Sequence, residues 1–211
     1  MKPMDLSDAQ RDLLTELGNI SISRAARQLS ALLNEPIRFA APRVDLCTAD
    51  EAAQHLDTND DKKSAAMACI YQRMSGELTG RIALLLPSHD SHLLFQNLLG
   101  RSAPLQGLDM HAFEHEALTE IGNILISSCI SAMADMLQLR IDVSVPRFTE
   151  TTAQDLFNDA VAEGPEQQAL LIHARLSASR LELEGTILLI LSAAAAEKVV
   201  FAVQAMILAA D

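Results

Sequence analysis

A chain of 211 residues has room for one large domain or for two intimately packed halves of about 105 residues each. Its net charge of −12 argues against a nucleic-acid ligand, since binding phosphates calls for a basic surface, and no stretch interleaves aromatic and basic residues to stack bases. Hydrophobic residues make up 49% of the chain but include six Phe, one Tyr and no Trp, so the core is expected to be aliphatic.

Three cysteines, Cys47, Cys69 and Cys129, form no C-x-x-C pair, which fits reduced thiols in the cytoplasm better than a disulfide framework. The N-terminus is polar and carries no signal-peptide core. The longest apolar run, near residues 186–196, is too short to span a bilayer. A cytoplasmic protein without membrane insertion is expected.

Ser7 and Gln10 have the form of a capping box and predict a helix over 8–33. Leu13, Leu17, Ile20, Ala25, Leu29 and Leu32 supply its apolar face, and Pro36 lies beyond its end. Residues 37–46 read as a strand, in which Pro42 implies an edge, a bulge or a strand end. Residues 48–64 are polar, with 59–63 as an exposed loop. Apolar runs at 66–74 and 78–86 flank Ser75-Gly76-Glu77 and read as a hairpin. A short helix over 88–99 follows, stopped by Gly100.

After a linker at 101–108, Asp109 can cap a second long helix over 110–138. Residues 139–145 form the matching strand and end at Pro146; 149–168 are polar and contain Gly164-Pro165. A second hairpin is expected at 169–176 and 181–191, where Glu182-x2-Gly185 repeats Glu77-x2-Gly80, and a last helix at 193–208. This order predicts an α+β fold: two pseudo-symmetric helix-strand-strand-strand-helix repeats, about 8–100 and 109–208, with antiparallel hairpins and long helices packed on the sheet.

The repeat is sharpest inside the long helices. Thr15-Glu16-Leu17-Gly18-Asn19-Ile20 returns 104 positions later as Thr119-Glu120-Ile121-Gly122-Asn123-Ile124. The same offset links Asp12 to Glu116 and Pro42-Arg43 to Pro146-Arg147. Such self-similarity marks a duplicated unit. On a helix, Asp12, Glu16 and Asn19 share one stripe, as do Glu116, Glu120 and Asn123. Neither trio is apolar, so a solvated helix face is the plain explanation of one trio, and repetition with the spacing kept argues for two copies of a site. Gly18 and Gly122 each sit mid-helix, where glycine costs about 1 kcal/mol relative to alanine; either tight internal packing or close approach by a partner would account for them. His111-x3-His115 and His89-x2-His92 have spacings that could seat a metal, but neither recurs in the other half and no carboxylate or cysteine set completes four ligands, so no metal site is expected. The methionines, Met133 and Met136 among them, read as core fillers.

At these residues the sequence resembles the CheC/CheX/FliY family of chemotaxis phosphatases, whose pattern is Asp or Ser, x3, Glu, x2, Asn, x22, Pro. Asp12, Glu16, Asn19 and Pro42 match it fully. Glu120, Asn123 and Pro146 match it in the second half, with Glu116 where Asp or Ser is usual. The two-copy layout is most similar to CheC. The resemblance implies a phosphatase for the aspartyl phosphate of a CheY-like receiver domain, with catalytic Glu16, Asn19, Glu120 and Asn123. In it the Asn orients the attacking water, the Glu fixes docking, and Pro42 and Pro146 shape the site; Asp12 and Glu116 are expected to help bind the partner, and Arg43 and Arg147 either to do the same or to form surface ion pairs. No cofactor of its own is implied, since Mg2+ belongs to the receiver. A non-catalytic module that binds a receiver or a CheD-like deamidase is the alternative.

Overall fold

Ser7 and Gln10 close the start of the first helix reciprocally. The Ser7 N–H donates to Gln10 Oε1 at 2.9 Å, and the Gln10 N–H donates to Ser7 Oγ at 3.3 Å, which satisfies two donors that a helix start would otherwise leave open. The computed structural model describes residues 6–33, 36–48, 51–52, 66–99, 109–152, 155–156, 158, 167–178 and 181–210. In chain order these form α1 (Asp8–Leu33), β1 (Ile37–Thr48), β2 (Met67–Gly76), β3 (Gly80–Pro87), α2 (Ser88–Leu99), α3 (Met110–Leu137), β4 (Ile141–Val143), β5 (Arg147–Thr151), β6 (Gln167–Ala178), β7 (Leu181–Ser192) and α4 (Ala193–Ala210). The expected loop at 59–63, the linker at 101–108 with Gly100, and Gly164-Pro165 lie outside the described residues.

Asp109 caps α3 as expected, its carboxylate accepting from the His111 and Ala112 N–H groups at 3.1 and 3.3 Å. At the other end Gln138 takes a left-handed conformation (φ 53°) and its N–H returns to the Ala134 carbonyl, which pairs one of the open carbonyls of the last turn. The buried stripe of α1 is Leu14, Leu17, Ile22, Ala25 and Leu29. Ile20, expected on that stripe, is 38% exposed and borders Asn19 instead, because the face that meets the sheet is centred on Leu14, Gly18 and Ala25.

All strands join one antiparallel sheet in the order β1-β6-β7-β3-β2-β4, with β5 also on β2. The halves exchange strands. β1 of the first half pairs with β6 of the second, and β4 and β5 of the second pair with β2 of the first. β3 meets β7 at the centre. Ile172 opposite Val44 and Ile70 opposite Phe148 are equivalent pairs in this arrangement, which sets the pseudo-two-fold axis between β3 and β7.

Both motif prolines sit at register shifts. Ala40 to Arg43 is three steps along β1 against two along β6, from Arg175 to His173. Val143 to Arg147 is four steps against three along β2, from Met74 to Tyr71. A proline cannot donate to the ladder, so an edge strand with one extra residue accommodates it. The second-half strand does not end at Pro146: it is interrupted there and resumes at Arg147 as β5, which runs into the stretch read as polar. The Glu-x2-Gly recurrence is not part of the structural repeat either. Gly80 lies opposite Met74, whereas the equivalent place opposite Leu176 is held by Leu183, and Gly185 faces Ala174.

The helices cover one face of the sheet. Ile82, Leu84 and Leu86 of β3 point into the core they share with Leu17 of α1, Leu125 of α3 and Val199 of α4. Ala83 and Leu85 point to the opposite face, where Ala52 and Leu156, themselves 104 positions apart, help close a smaller cluster. The core is aliphatic, and Met133 is fully buried in it while Met136 packs at its border. Among the described residues α3 is the helix long and apolar enough to cross a membrane; over half of its most apolar stretch is buried within the fold.

Candidate functional site

Gly18 and Gly122 explain how each trio is placed. A Cβ on Gly18 would come within 2.6 Å of Val44 Cγ2, and one on Gly122 within 2.6 Å of Ile70 Cγ2. Real Cβ atoms do not approach that closely, so each glycine lets its helix settle onto the sheet at mid-length. Tight internal packing therefore accounts for both glycines. The next residue, Asn19 or Asn123, is then held half-buried at the seam between helix and sheet. Asp12 and Glu16 on α1, and Glu116 and Glu120 on α3, are exposed along the outer stripe, as the helical spacing predicts.

Neither asparagine is fully exposed, and their surroundings differ. Asn123 Oδ1 accepts a hydrogen bond from Gln72 Nε2 at 2.9 Å and a longer one from Ser127 Oγ at 3.5 Å. Gln72 is 0% exposed, and its Oε1 has no partner among the described residues. Two residues along from Ile172, the equivalent of Ile70, the strand beside the first site has Ala174, which carries no donor on its side chain. Among the described residues no side-chain hydrogen bond reaches Asn19. Gln72 was not singled out from the sequence. A lone carboxamide inside the apolar run of β2 was the available signal, since uncharged polar side chains are seldom fully buried without a role.

Pro146 is half-buried at its register shift and Arg147 is exposed, making no ion pair among the described residues. Pro42 and Arg43 take the corresponding backbone positions in β1, and their side chains lie outside the described ones. The two long helices are fastened side by side. Arg24 Nη1 meets Asp135 Oδ2 at 2.6 Å, and Ser128 Oγ donates to Gln28 Oε1 at 2.6 Å.

Cys47, Cys69 and Cys129 are buried and free, and burial pushes each thiol up to about 12. Thiols so poorly ionised are weak nucleophiles. His92 is engaged between helices, with Nδ1 3.2 Å from Glu114 Oε1 and Nε2 2.7 Å from Gln96 Nε2. His111 and His115 are brought together with Glu150 of β5, a carboxylate that the spacing in sequence did not disclose.

The sequence profile of the CheC-like family matches residues 10–45 and 113–150, the two segments that carry the trios and their prolines. A Bacillus subtilis protein named CheY-P phosphatase CheC is 30% identical over 160 residues, covering 75% of this chain and 73% of that protein. The chain belongs to the CheC-like family. Its fold is also that of FliY from Thermotoga maritima, with a TM-score of 0.73 at 19% identity over 95% of this chain and 98% of the other. Another solved relative in fold is a CheX–CheY–BeF3–Mg2+ complex from Borrelia burgdorferi, with a TM-score of 0.50 at 15% identity over 84% of this chain and 97% of the other. In CheC-like terms the α+β architecture and the two-copy layout are those expected from the repeat.

Proposed function

We propose that this chain hydrolyses the aspartyl phosphate of a CheY-like receiver domain in the cytoplasm, using Asn19 and Asn123 at two separate helix surfaces. The observation that carries the reading is the repeated geometry: a half-buried carboxamide anchored to the sheet by a glycine, beside an exposed glutamate one turn earlier. Homology supports the substrate class, through the CheY-P phosphatase relative and the CheX–CheY complex.

Phosphoryl transfer needs little covalent chemistry from the enzyme; positioning and charge stabilisation supply most of the acceleration. A carboxamide can accept a proton of the attacking water in a hydrogen bond and donate toward a phosphoryl oxygen. At the second site Asn123 Oδ1 accepts from Gln72 Nε2; in this reading its amide NH2 donates to the phosphoryl oxygen, and opening the long Ser127 contact frees a lone pair for water. In this reading exposed Glu16 and Glu120 meet a cationic side chain of the receiver, and exposed Asp12, Glu116 and Arg147 contribute to docking, as would Arg43. Exposed Ile20 adds an apolar contact beside the first asparagine. The phosphoryl group and its Mg2+ arrive with the substrate.

The test is to add the purified chain to a phosphorylated CheY-like receiver with Mg2+ and follow phosphate release. Accelerated release, with no comparable action on a small ester such as nitrophenyl phosphate, is expected. Receiver binding without acceleration would replace this reading by the docking module.

A further inference from the structure

His111 and His115 lie one turn apart on α3, so their rings project from the same face. The rings are 4.1 Å apart between centroids, and His115 stacks on Phe148 of β5 at 4.0 Å, with 29° between the planes. That stack turns His115 Nε2 toward Glu150, whose Oε1 is 3.8 Å away. One donor atom from each of His111, His115 and Glu150 falls within 4.8 Å of the others. Donors on a tetrahedral zinc ion are about 3.3 Å apart, given bonds of about 2.0–2.1 Å. Small side-chain rotations of the exposed His111 and Glu150 therefore close the set. Two imidazoles and one carboxylate suit Zn2+ and its transition-metal neighbours, and are a poor set for Ca2+ or Mg2+, which favour oxygen.

We propose that His111, His115 and Glu150 form a Zn2+ site that fastens the start of α3 to β5, with a fourth position open to water or to a partner's side chain. The open position follows from exposure: His111 and Glu150 face solvent and His115 is half-buried. The site belongs to the second half alone, since the residues 104 positions earlier are Ser7, Arg11 and Leu46. It borders the second trio, because His115 directly precedes Glu116. Metal binding there would fix the strand after Pro146 against the helix that carries Glu116, Glu120 and Asn123. The proposal does not depend on the phosphatase reading.

Titrating zinc chloride into the tag-free chain by calorimetry tests it. One ion per chain is expected, with affinity reduced at least about tenfold by His111→Gln or Glu150→Gln, in line with the sensitivity of metal sites to loss of supporting groups. His89→Gln and His92→Gln should leave it unchanged. Cobalt chloride should give visible d–d bands of the intensity of a four-coordinate nitrogen and oxygen site, without thiolate-to-metal charge transfer. If His115→Gln unfolds the chain by removing the Phe148 stack, the surface changes His111→Gln and Glu150→Gln decide the matter. Absence of stoichiometric zinc binding, or binding that survives His111→Gln and Glu150→Gln together, overturns the proposal.

Discussion

Asn19 and Asn123 stand at equivalent points of the two halves, yet the sheet beneath them differs. Under Asn123 lies Gln72, fully buried and donating to its carbonyl oxygen; the equivalent strand position under Asn19 is Ala174. The second carboxamide is thus held by the sheet, whereas among the described residues no side-chain hydrogen bond holds the first. Fixing a free side chain costs about 0.5–1.5 kcal/mol. Duplication supplied two equivalent asparagines, and one strand position, Gln72 against Ala174, distinguishes the backing that the described residues give them.

The largest expected effect erases the comparison. Asn19→Ala with Asn123→Ala should lower receiver dephosphorylation at least about 100-fold, the scale of losing a positioned reactant, with circular dichroism unchanged, while each single change leaves the activity of the other site. A double variant working at the parental rate would remove catalysis from both asparagines. The next effect is on stability. Gly122→Ala and Gly18→Ala force a methyl group into the sheet, and overpacking of this kind costs about 1–3 kcal/mol. Gly122 should be the worse position, because three Ile70 side-chain atoms lie at 2.6–2.9 Å from its Cβ, against one Val44 atom at 2.6 Å for Gly18. Denaturant midpoints would show the order, and equal losses would mean that the two helices sit equally tightly on the sheet.

Gln72→Leu sharpens the comparison. In an Asn19→Ala background it should reduce turnover about fivefold, the weight of one hydrogen bond worth about 1 kcal/mol. Stability should hold or rise, because the change removes a buried oxygen that lacks a partner among the described residues. Turnover unchanged in that background would show that Gln72 does not order Asn123. The smallest effect belongs to Glu116. It is exposed and lies two turns before Asn123, so Glu116→Asp should shift KM by a few-fold at most with kcat held, as expected for a contact common to bound and transition states. A change in kcat instead would place Glu116 in the chemistry.

Features governed by neighbours in the chain were legible in the sequence. The Ser7–Gln10 capping box, the Asp109 cap, both long helices and the irregular strand position of Pro42 all follow from local rules. The missed strand β5 also had a local signal, since Arg147-Phe148-Thr149-Glu150-Thr151 has strand-forming threonines and an aromatic residue; its charges masked it. The Glu77-x2-Gly80 recurrence misled because residue spacing resembled a repeat that the strand register does not keep. Gln72 beneath Asn123, and Glu150 beside His111 and His115, were beyond sequence reading for another reason. Both depend on which strand lies next to which, and that pairing crosses the two halves.

The exchange of strands has a consequence for how the chain is made. Thr48 ends β1 and Gln167 begins its partner β6, 119 positions later. At ~5–20 residues per second, a ribosome needs roughly 6–24 s to deliver that partner. Through that interval the nascent first repeat holds an unpaired strand, a natural client for a chaperone. Nor can a single repeat be cut from this chain with its sheet intact: removing the second takes β6 away from β1, and removing the first takes β2 away from β5. A protein encoding one repeat could build this sheet only by exchanging strands with another copy of itself.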